Sequence, residues 1–429
     1  MQAERLLQQQ AAFDPEHIEA IFGREFILDA PDPAVELAPV QRVALITEAF
    51  LPKVDGVSKT ALLTLQYLKQ TGREVLVFAP DNAPDAIFNT RIVPLPSLQL
   101  PNVPETRLAL PNPYIARELR AFQPDLIHIC SPALMSISGV WAGRNMDVPI
   151  VANYQTDLPG FARLYGLDVA ALLMQRWLRY IHNSCHVTLV PSKHTEAQIR
   201  AHGIRRIRRW GRGVDIRRFN PAHRSEAWRA RLLDGRDPES LLCVYVGRLA
   251  TEKCIEQLVE VARLPGVALT IIGDGAQREE LETIFAGTGT VFTGYLLGDE
   301  LPAAFASADV FVFTGPSETF GQVVQEAMAS GLPSVVTDSG GVADLVIPGE
   351  TGFHAAPDPA DFADKVRRLR DDSHLRAQMG QTARAIAEER PWEKTLAGLE
   401  PIWSEAVALN RRYMRRYGPV RQQFRLPLP

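Results

Sequence analysis

Phe311-Val-Phe-Thr-Gly-Pro-Ser-Glu-Thr-Phe-Gly-Gln-Val-Val-Gln-Glu-Ala-Met-Ala-Ser-Gly331 decides the fold of this chain. Its first residues predict the end of a buried strand, its Gly-Pro pair a tight loop, and the residues from Gly321 onward a helix. Glu318 lies in the loop and Glu326 on the helix. Unpaired N–H groups at a helix start favour an anion, whereas neighbouring carboxylates favour hydroxyl groups. The stretch therefore predicts a ligand that carries both phosphates and sugar hydroxyls.

The composition of the chain indicates an ordinary soluble protein with more than one domain. At 429 residues it is too long for one core, and its 46% apolar and 22% charged residues are typical of globular proteins. The apolar runs are strand-length, and the N-terminus lacks the apolar centre of a signal peptide, so we expect a cytoplasmic protein. A net charge of −4 argues against a general attraction to nucleic acid. Four cysteines without a Cys-x-x-Cys pair predict reduced core thiols.

Apolar strand-like runs alternate with helical patterns along most of the chain, which is typical of α/β folds with parallel sheets. The first series starts with a predicted strand at 42–47, and the pattern breaks between residues 219 and 240. A second series begins with a predicted strand at 241–246. We therefore predict two doubly wound, Rossmann-like domains facing across a cleft, with ligands bound at the carboxyl ends of the strands.

The pattern divides the chain into four segments. They are an N-terminal extension outside the fold and partly mobile (1–40), a first domain (41–220), a second domain (221–392), and a C-terminal helix with a basic tail (393–429). We expect the C-terminal segment to pack back toward the first domain. A short helix near residues 15–22 and an irregular tail from residue 417 are further expectations.

Two cations lie in the loop after the first strand of the second series, Gly247-Arg-Leu-Ala-Thr-Glu-Lys253. An isolated surface cation is usually only solvated, but Arg248 and Lys253 follow a strand at the same sheet edge as Glu318. Each cation about 4 Å from a diphosphate would contribute on the order of 4 kcal/mol at an effective dielectric of 20. Such charges would stabilise a departing diphosphate without a metal ion. Consistent with this, the sequence contains no Asp-x-Asp pair.

Three common nucleotide or hydrolase motifs are excluded by spacing. Gly56 precedes a helix predicted to begin near Ser58 and could present bare amides to phosphates, but the Gly of a Walker loop is missing before the Lys-Thr pair. Gly273-x-Gly275 and Gly287-x-Gly289 lack the third Gly of a dinucleotide fingerprint. No Gly-x-Ser-x-Gly elbow of a hydrolase occurs.

Several motifs occur together and in order along the chain. They are Ile46-Thr-Glu-Ala-Phe-Leu-Pro-Lys-Val-Asp-Gly-Val57, Gly211-Arg-Gly-Val-Asp215 with Phe219-Asn-Pro221, Val246-Gly-Arg-Leu-Ala-Thr-Glu-Lys253, Ile272-Gly-Asp-Gly275, and Pro316-Ser-Glu-Thr-Phe-Gly321 through Glu326-Ala-Met-Ala-Ser-Gly331. As a set they resemble glycosyltransferase family 4, the large family of retaining, nucleotide-sugar-dependent GT-B glycosyltransferases marked by two glutamates with seven residues between them. The sequence is most similar to the branch with lipid mannosyltransferases and sulfoquinovosyl diacylglycerol synthases. The likeness covers about residues 41 to 400.

The resemblance implies that Glu318 contacts the donor sugar or its phosphate, that Glu326 binds the ribose hydroxyls, and that Arg248 and Lys253 neutralise the diphosphate. Further implied donor contacts are Gly56, Val57, Gln155 and Asp157 in the first domain, the backbone around Leu296 at the base, and the amides of Thr319, Phe320 and Gly321. The donor would sit mainly on the second domain, and the acceptor would enter from the first. The family also implies no metal and no cofactor.

Gln155 departs from the family pattern, because many relatives read Tyr-His-Thr or Phe-His-Thr where this chain has Tyr154-Gln-Thr156. A glutamine can hydrogen-bond a sugar hydroxyl but cannot carry charge, so the donor sugar stays open. His128 lies at a strand end and is either a packed or capping residue or an acceptor contact.

Two arginine clusters have alternative interpretations. Residues 204–218 hold seven arginines against the single acid Asp215, and six arginines follow Glu405 with no acid. They form either a solvated face or a surface that docks on anionic lipid, where each arginine would contribute about 1 kcal/mol. In the second case the protein would sit peripherally at the inner face of a membrane.

The predicted reaction is transfer of a hexose from GDP-mannose or a UDP-sugar to a hydroxyl acceptor, which is a lipid or a glycan. Two alternatives stay open on the sequence alone. One is a sugar-nucleotide epimerase of the same architecture, and the other is a non-catalytic protein that binds a sugar nucleotide or a lipid.

Overall fold

The computed structural model describes residues 16, 18, 19, 26–53, 55–100 and 103–418, which form two compact units. The first unit contains the described residues up to Pro191, together with Glu196–Gly211 and those from Glu393 onward. The second contains Ser192–Thr195 and Arg212–Trp392. Residues 212–220, assigned to the first domain from the sequence, thus group with the second unit. Most of the predicted helix at 15–22 and the tail after Gly418 lie outside the described residues.

The secondary structure follows the predicted alternation. The strands are β1 Arg42–Thr47, β2 Glu74–Pro80, β3 Ala86–Ile87, β4 Thr90–Leu95, β5 Ser97–Leu100, β6 Val103–Ala109, β7 Leu126–Ser131, β8 Ile150–Asn153, β9 Val187–Val190, β10 Ile207–Arg209, β11 Leu241–Val246, β12 Val267–Ile272, β13 Val291–Gly294, β14 Val310–Phe313, β15 Ser334–Thr337 and β16 Gly352–Ala355. The α-helices are α1 Gly56–Gln70, α2 Tyr114–Phe122, α3 Ser136–Asn145, α4 Leu158–Leu164, α5 Asp168–Ser184, α6 Lys193–Ala201, α7 Glu226–Leu233, α8 Val259–Ala262, α9 Arg278–Ile284, α10 Glu300–Ser307, α11 Gln322–Ala329, α12 Pro359–Asp371, α13 Ser373–Glu388, α14 Trp392–Ala397 and α15 Leu399–Tyr417. Short 3-10 helices occupy Pro221–His223, Thr251–Lys253 and Ile255–Leu258.

The first unit is built on a sheet in the order β10-β9-β8-β7-β1-β2-β4-β3, which is parallel except for the β3–β4 pair. Five of the six residues of β1 are buried, as expected for a parallel strand covered on both faces. The strands β2 and β7 lie on opposite sides of β1. The loops after β1 and β7 therefore lie at a topological switch point. This point is where an open α/β sheet normally binds its ligand.

Residues 26–40, expected to lie outside the fold, are instead part of the first unit. The buried side chains of Phe26 and Leu28 lie against α1, where the Gln66 side chain accepts from the Leu28 amide at 2.9 Å and donates to the Phe26 carbonyl. The Ala38 amide donates to Glu400 on α15 at 2.7 Å. The expectation was wrong because the partners of this proline-rich segment lie far away in sequence.

A buried ion pair fixes α15 to the body of the first unit. Arg73 Nη2 and Glu400 Oε2 are 2.7 Å apart, and each side chain is only 1% exposed. The Tyr67 hydroxyl donates to the other oxygen of Glu400 at 2.8 Å, and the Arg73 guanidinium lies over the Trp403 ring. The described part of the C-terminal segment therefore packs within the first unit.

The second unit has a wholly parallel sheet in the order β13-β12-β11-β14-β15-β16. The chain runs outward from β11 to β13 and then returns to the other side of β11 with β14. The switch point of this sheet therefore lies between β11 and β14, where the Arg248–Lys253 loop and the Glu318 loop both begin.

Two predicted helices differ from the structure. The helix predicted at residues 255–264 is a 3-10 turn, Ile255–Leu258, followed by the single turn α8. The long helix predicted from Trp392 is divided at Gly398 into α14 and α15. None of the helices that the structure describes is both long enough and apolar enough to cross a bilayer.

Candidate active site

Lys253 and Glu318 meet at the switch point of the second unit. The Lys253 ammonium donates to Glu318 Oε1, and the ammonium also lies 5.9 Å from the centre of the Phe313 ring. The Thr314 hydroxyl donates to the Lys253 carbonyl at 2.7 Å, which ties the loop after β14 to the loop after β11. Because the two side chains remain 15% and 27% exposed, a ligand can reach this pair.

Arg248 is paired with a different carboxylate. Its Nη2 donates to Glu252 Oε1 at 2.6 Å, and its own side chain is 58% exposed while that of Glu252 is buried. The carboxylate of Glu252 therefore holds one terminal nitrogen of the guanidinium, and much of the Arg248 side chain stays open to solvent. The sequence analysis did not predict a role for Glu252, because nothing in the sequence distinguishes this residue from a solvated glutamate in a loop.

Tyr245 lies beneath these loops on β11. Its ring stacks on Phe313, with centroids 5.6 Å apart and planes at 9°. Burial, reinforced by the charges of Glu318 and Glu252, raises the pKa of the Tyr245 hydroxyl well above its ordinary value. A side chain on Gly247 would meet this hydroxyl, so the glycine after β11 lets the loop cross directly over the tyrosine.

The loop that carries Glu318 is held by close backbone contacts. The Gly341 amide donates to the Glu318 carbonyl at 2.6 Å. A Cβ at Gly340 would collide with the Pro316 carbonyl, and one at Gly341 with that of Thr319. The Gly-Gly pair after β15 thus allows the approach that fixes the Glu318 loop.

Helix α11 begins without a side-chain cap in the described structure. Its N-cap is Gly321, whose φ of 92° and contact with Val342 leave no room for a side chain. The first amides of α11 are therefore suited to an anion. Phe320 is buried in the core of the unit, so this residue can serve a ligand only through its backbone, whereas Thr319 is half-buried.

Glu326 lies one turn further along α11 and is buried. Glu326 acts electrostatically on Arg218: burial lowers the pKa of Arg218, and the negative charges of Glu326 and Asp299 partly offset this effect. Arg218 Nη2 donates to the Gly298 carbonyl at 2.6 Å, in the loop after β13 that contains Leu296. Arg218 therefore connects the predicted ribose-binding carboxylate with the predicted base-binding loop, a role that the sequence did not suggest.

Leu296 itself is buried in the core of the second unit, and its neighbours Tyr295 and Leu297 are exposed. The Tyr295 hydroxyl donates to the Asp274 carbonyl at 3.3 Å. The backbone of this loop, rather than the Leu296 side chain, is the part that a ligand could contact.

Gly56 and Val57 begin α1 in the first unit, two residues before the predicted start. Asp55 caps this helix: its Oδ1 accepts from the amides of Val57 at 2.9 Å and Ser58 at 2.8 Å, and the Ser58 hydroxyl accepts from the Asp55 amide. The expectation of bare amides is therefore wrong for Val57 and Ser58, because a carboxylate of the chain already occupies them. A nearby ion pair with Lys53 helps to keep the pKa of Asp55 below its ordinary value, against the opposing effect of burial.

Gln155 and Asp157 follow β8 in the first unit. The buried Gln155 side chain donates to the Cys130 carbonyl at 2.9 Å. Asp157 is the N-cap of α4 and accepts from the Gly160 amide, the Tyr154 hydroxyl and the Gln198 amide group. These contacts account for Asp157 structurally, and its predicted donor contact stays a prediction.

His128 is fully buried. Of the two roles considered for it, a packed residue and an acceptor contact, the structure favours the packed residue. Trp403 Nε1 donates to its Nδ1 at 3.2 Å, so the proton lies on Nε2, which faces Asn153 Oδ1 at 2.9 Å. Burial lowers the pKa of His128 to about 4. The ring is a neutral core residue that joins β7, β8 and α15.

Glu48 is a buried carboxylate that the sequence analysis did not single out. It lies after β1 and accepts from the amides of Ala133, Leu134 and Ser136 at the start of α3. Burial raises the pKa of Glu48 from 4.5 to about 7 despite these bonds. The residue joins the two loops at the switch point of the first unit.

The arginine cluster at 204–218 does not form one free surface. Arg206 donates to the carbonyls of Asn183 and Cys185, Arg208 pairs with Glu405, and Arg209 lies 3.2 Å from Glu196. Arg212, Arg217 and Arg218 belong to the second unit. Of the six C-terminal arginines, Arg421 and Arg425 lie outside the described residues.

The predicted site residues of the second unit thus form a set suited to an anionic, hydroxyl-bearing ligand. It combines the two cations Arg248 and Lys253, the partly exposed carboxylate of Glu318, the buried carboxylate of Glu326 and an uncapped helix start. Among the described residues, no group of three His, Cys, Asp or Glu side chains is placed to hold a metal ion.

Comparison with known proteins identifies the family of the chain. The model of Glycosyltransferase Family 4 matches residues 54–218, and that of Glycosyl transferases group 1 matches residues 230–386. A GDP-mannose-dependent alpha-mannosyltransferase of Mycobacterium tuberculosis is 44% identical over 73% of this chain and 83% of its own length. The sulfoquinovosyl transferase SQD2 of Arabidopsis thaliana is 37% identical over 85% of this chain and 74% of its own length.

The sucrose-phosphate synthase of Thermosynechococcus elongatus has a similar structure, with a TM-score of 0.69 and 22% identity over 86% of this chain and 99% of its own. At this identity the likeness concerns the fold, and it confirms the predicted GT-B class. The relatives also confirm the predicted family branch, and they give no support to the epimerase alternative. The chain belongs to glycosyltransferase family 4 and is a nucleotide-sugar-dependent glycosyltransferase.

Proposed function

We propose that this enzyme transfers a mannosyl residue from GDP-mannose to a hydroxyl group of a lipid acceptor, with retention of the anomeric configuration. The donor is supported by the relative at 44% identity that is named for GDP-mannose. The lipid acceptor, rather than a glycan, is supported by the resemblance to lipid mannosyltransferases and sulfoquinovosyl diacylglycerol synthases. A peripheral location at the inner face of a membrane is part of the proposal.

The Lys253–Glu318 pair carries the proposal. In the structure each group neutralises the other. A diphosphate between Lys253, Arg248 and the start of α11 would draw the ammonium away from Glu318 and leave the carboxylate to accept from sugar hydroxyls. Glu326 would accept from the ribose hydroxyls, and the backbone around Leu296 would lie at the base.

The proposed reaction needs no side-chain nucleophile. The bond between the anomeric carbon and the phosphate oxygen breaks while a bond to the acceptor oxygen forms on the same face of the sugar. The acceptor proton passes to the departing phosphate oxygen, and the products are GDP and the glycoside. Lys253 and Arg248 stabilise the charge that develops on the diphosphate, so positioning and electrostatics supply the catalysis.

Thermal shift with a panel of GDP-, UDP- and ADP-sugars tests the donor, since a ligand that binds the folded state alone raises Tm. We expect GDP-mannose to give the largest increase. Mannosyl transfer measured in excess chelator tests the metal-free mechanism, and a strict Mg²⁺ requirement would contradict it.

Two variants test the assignment of the carboxylates. Glu326→Ala should weaken donor binding, because Glu326 is proposed to hold the ribose. Glu318→Gln should reduce kcat more than donor affinity, because its carboxylate is proposed to act at the sugar. Wild-type turnover in both variants would show that the site is elsewhere.

A further inference from the structure

The hairpin formed by α4 and α5 exposes an unusual concentration of large apolar side chains. The hairpin tip is defined here as the exposed residues Leu164, Tyr165, Leu167, Val169, Leu172 and Leu173. Val169 is 76% exposed and Tyr165 is 67% exposed. Contiguous apolar patches on a protein surface usually mark an interaction site.

The hairpin tip is separate from the core-facing side of the same helix. Leu178 and Ile181 of α5 are buried in the first unit, and Trp177 Nε1 donates to the Ala133 carbonyl at 2.9 Å. Helix α5 therefore already has a packed face, and the apolar side chains of the tip form a second one. Burial of the core does not explain them.

The backbone of the tip is well defined by hydrogen bonds. The Leu167 amide donates to the Ala162 carbonyl and the Gly166 amide to the Arg163 carbonyl, both at 2.9 Å. Arg163 Nη2 also donates to Gln175 Oε1 at 2.8 Å across the two helices. The apolar side chains are therefore presented on a fixed scaffold.

The charges around the tip favour an anionic partner. Arg163, Arg176 and Arg179 are exposed on the hairpin, and Asp168 is the single acid between residues 158 and 184. Neither Arg176 nor Arg179 is paired with a carboxylate in the part of the chain that the structure describes. In contrast, the arginines at 206, 208 and 209 are engaged by carbonyl or carboxylate groups.

Amphipathic aromatic side chains lie further along α5. Tyr180 is half exposed, and its hydroxyl accepts from Trp141 Nε1 at 3.1 Å. Such side chains are enriched where one end of the ring meets lipid and the other meets water. The surface thus changes from apolar at the tip to basic and aromatic along the helix.

We propose that the hairpin tip inserts into the interfacial region of an anionic phospholipid bilayer, with the hairpin arginines at the lipid phosphates. An apolar face bordered by Arg and aromatic residues is typical of structures that lie in the membrane interface. A second copy of the chain is a weaker candidate, because a stable interface needs roughly 20 to 30 residues a side and the tip has far fewer. The inference extends the proposed function, since an enzyme that acts on a lipid acceptor must reach the membrane surface.

Vesicle co-sedimentation of the full chain tests the inference, with vesicles of phosphatidylcholine alone and of phosphatidylcholine mixed with phosphatidylglycerol. We expect the wild type to bind the anionic vesicles and to bind the neutral ones much more weakly. The triple variant Val169→Ser, Leu172→Ser, Leu173→Ser should have a vesicle partition coefficient at least about tenfold lower, because it removes apolar surface that would enter the lipid. The double variant Arg176→Gln, Arg179→Gln should bind anionic vesicles about tenfold more weakly and should bind neutral vesicles like the wild type.

The matched control is the triple variant Leu98→Ser, Leu110→Ser, Ile347→Ser, which removes exposed apolar side chains from other surfaces and should bind vesicles like the wild type. Circular dichroism and the nucleotide-induced thermal shift check that every variant is folded. Unchanged binding by the tip variant, or equal wild-type binding to neutral and anionic vesicles, would overturn the inference. So would a wild-type dimer in sedimentation velocity that the tip substitutions dissociate.

Vesicle binding needs no turnover, so its outcome is separate from that of the proposed function. Mannosyl transfer without vesicle binding would overturn the docking surface alone. Vesicle binding by a protein that does not bind GDP-mannose would overturn the proposed donor alone.

Discussion

Replacing Lys253 by Met should weaken the binding of a nucleoside diphosphate by about 30- to 1000-fold. The Lys253 side chain is only 15% exposed and lies close to the Phe313 ring. Because methionine keeps its unbranched apolar part, the variant should fold. A unit charge about 4 Å from a phosphate contributes on the order of 4 kcal/mol at an effective dielectric of 20. Solvent at the site reduces this to about 2 to 4 kcal/mol, and each 1.4 kcal/mol is a factor of ten.

The same structure predicts a partial rescue by a second substitution. In Lys253→Met, the carboxylate of Glu318 has lost the cation that neutralised it and repels the diphosphate. Glu318→Gln removes that negative charge, so the double variant should recover part of the lost affinity even though it lacks both charged groups. Two residues that act independently would instead show additive losses.

Isothermal titration with the nucleoside diphosphate of the preferred donor measures these affinities, and thermal denaturation checks the fold. Lys365→Met is the matched control, because Lys365 is also partly buried and paired with a carboxylate, Asp361, but lies on α12. It should leave the affinity unchanged. A loss smaller than about threefold in Lys253→Met, with an unchanged Tm, would refute a direct role of this ammonium at the diphosphate.

Two further predictions concern stability. Because the folded pKa of Glu48 is raised from 4.5 to about 7, its protonated form stabilises the fold at low pH and this stability is lost as the pH rises through about 7. Urea titrations from pH 5 to 8 should show a fall of up to about 3 kcal/mol in the free energy of unfolding, which Glu48→Gln should largely abolish. Glu400→Ala should cost about 3 to 5 kcal/mol in the same assay, because it leaves Arg73 buried without its partner. Glu405→Ala, which breaks an exposed pair with Arg208, should cost below about 1 kcal/mol, and equal losses in the two alanine variants would contradict this account.

The strands at the centre of each sheet could be predicted from the sequence with accurate ends. Arg42–Thr47 and Leu241–Val246 have the predicted bounds, because a strand buried on both faces is a continuous apolar run with polar residues or glycine at its limits. The elements that the sequence analysis did not identify include the edge strand β16 and the polar helices α12 and α13. Strand β16 has only four residues and too few apolar ones to show a strand pattern, whereas α12 buries Phe362, Ala363, Val366 and Leu369 at helical spacing, a signal that the sequence analysis did not use.

The site could be predicted where it depends on chain order and could not where it depends on side-chain partners. Lys253 and Glu318 lie 65 residues apart, yet each follows a strand at the switch point of one sheet, so the contact follows from topology. The pairing of Arg248 with Glu252 and the position of Arg218 depend on loop conformation. Similarly, Asp55 precedes the predicted helix start, and only the structure shows that its carboxylate occupies the amides once expected to meet phosphates.

The two glutamates that mark the site differ in their surroundings, and this difference bears on specificity. Glu318 is partly exposed and paired with a lysine that the proposed diphosphate would also bind, whereas Glu326 is buried and acts electrostatically on Arg218. In the proposed site, freeing Glu318 for a sugar hydroxyl therefore requires an anion to take Lys253. A free sugar would have to break the ion pair without replacing it. In the proposed site, recognition of the sugar would thus be coupled to binding of the diphosphate, which would favour the intact donor over its separate parts.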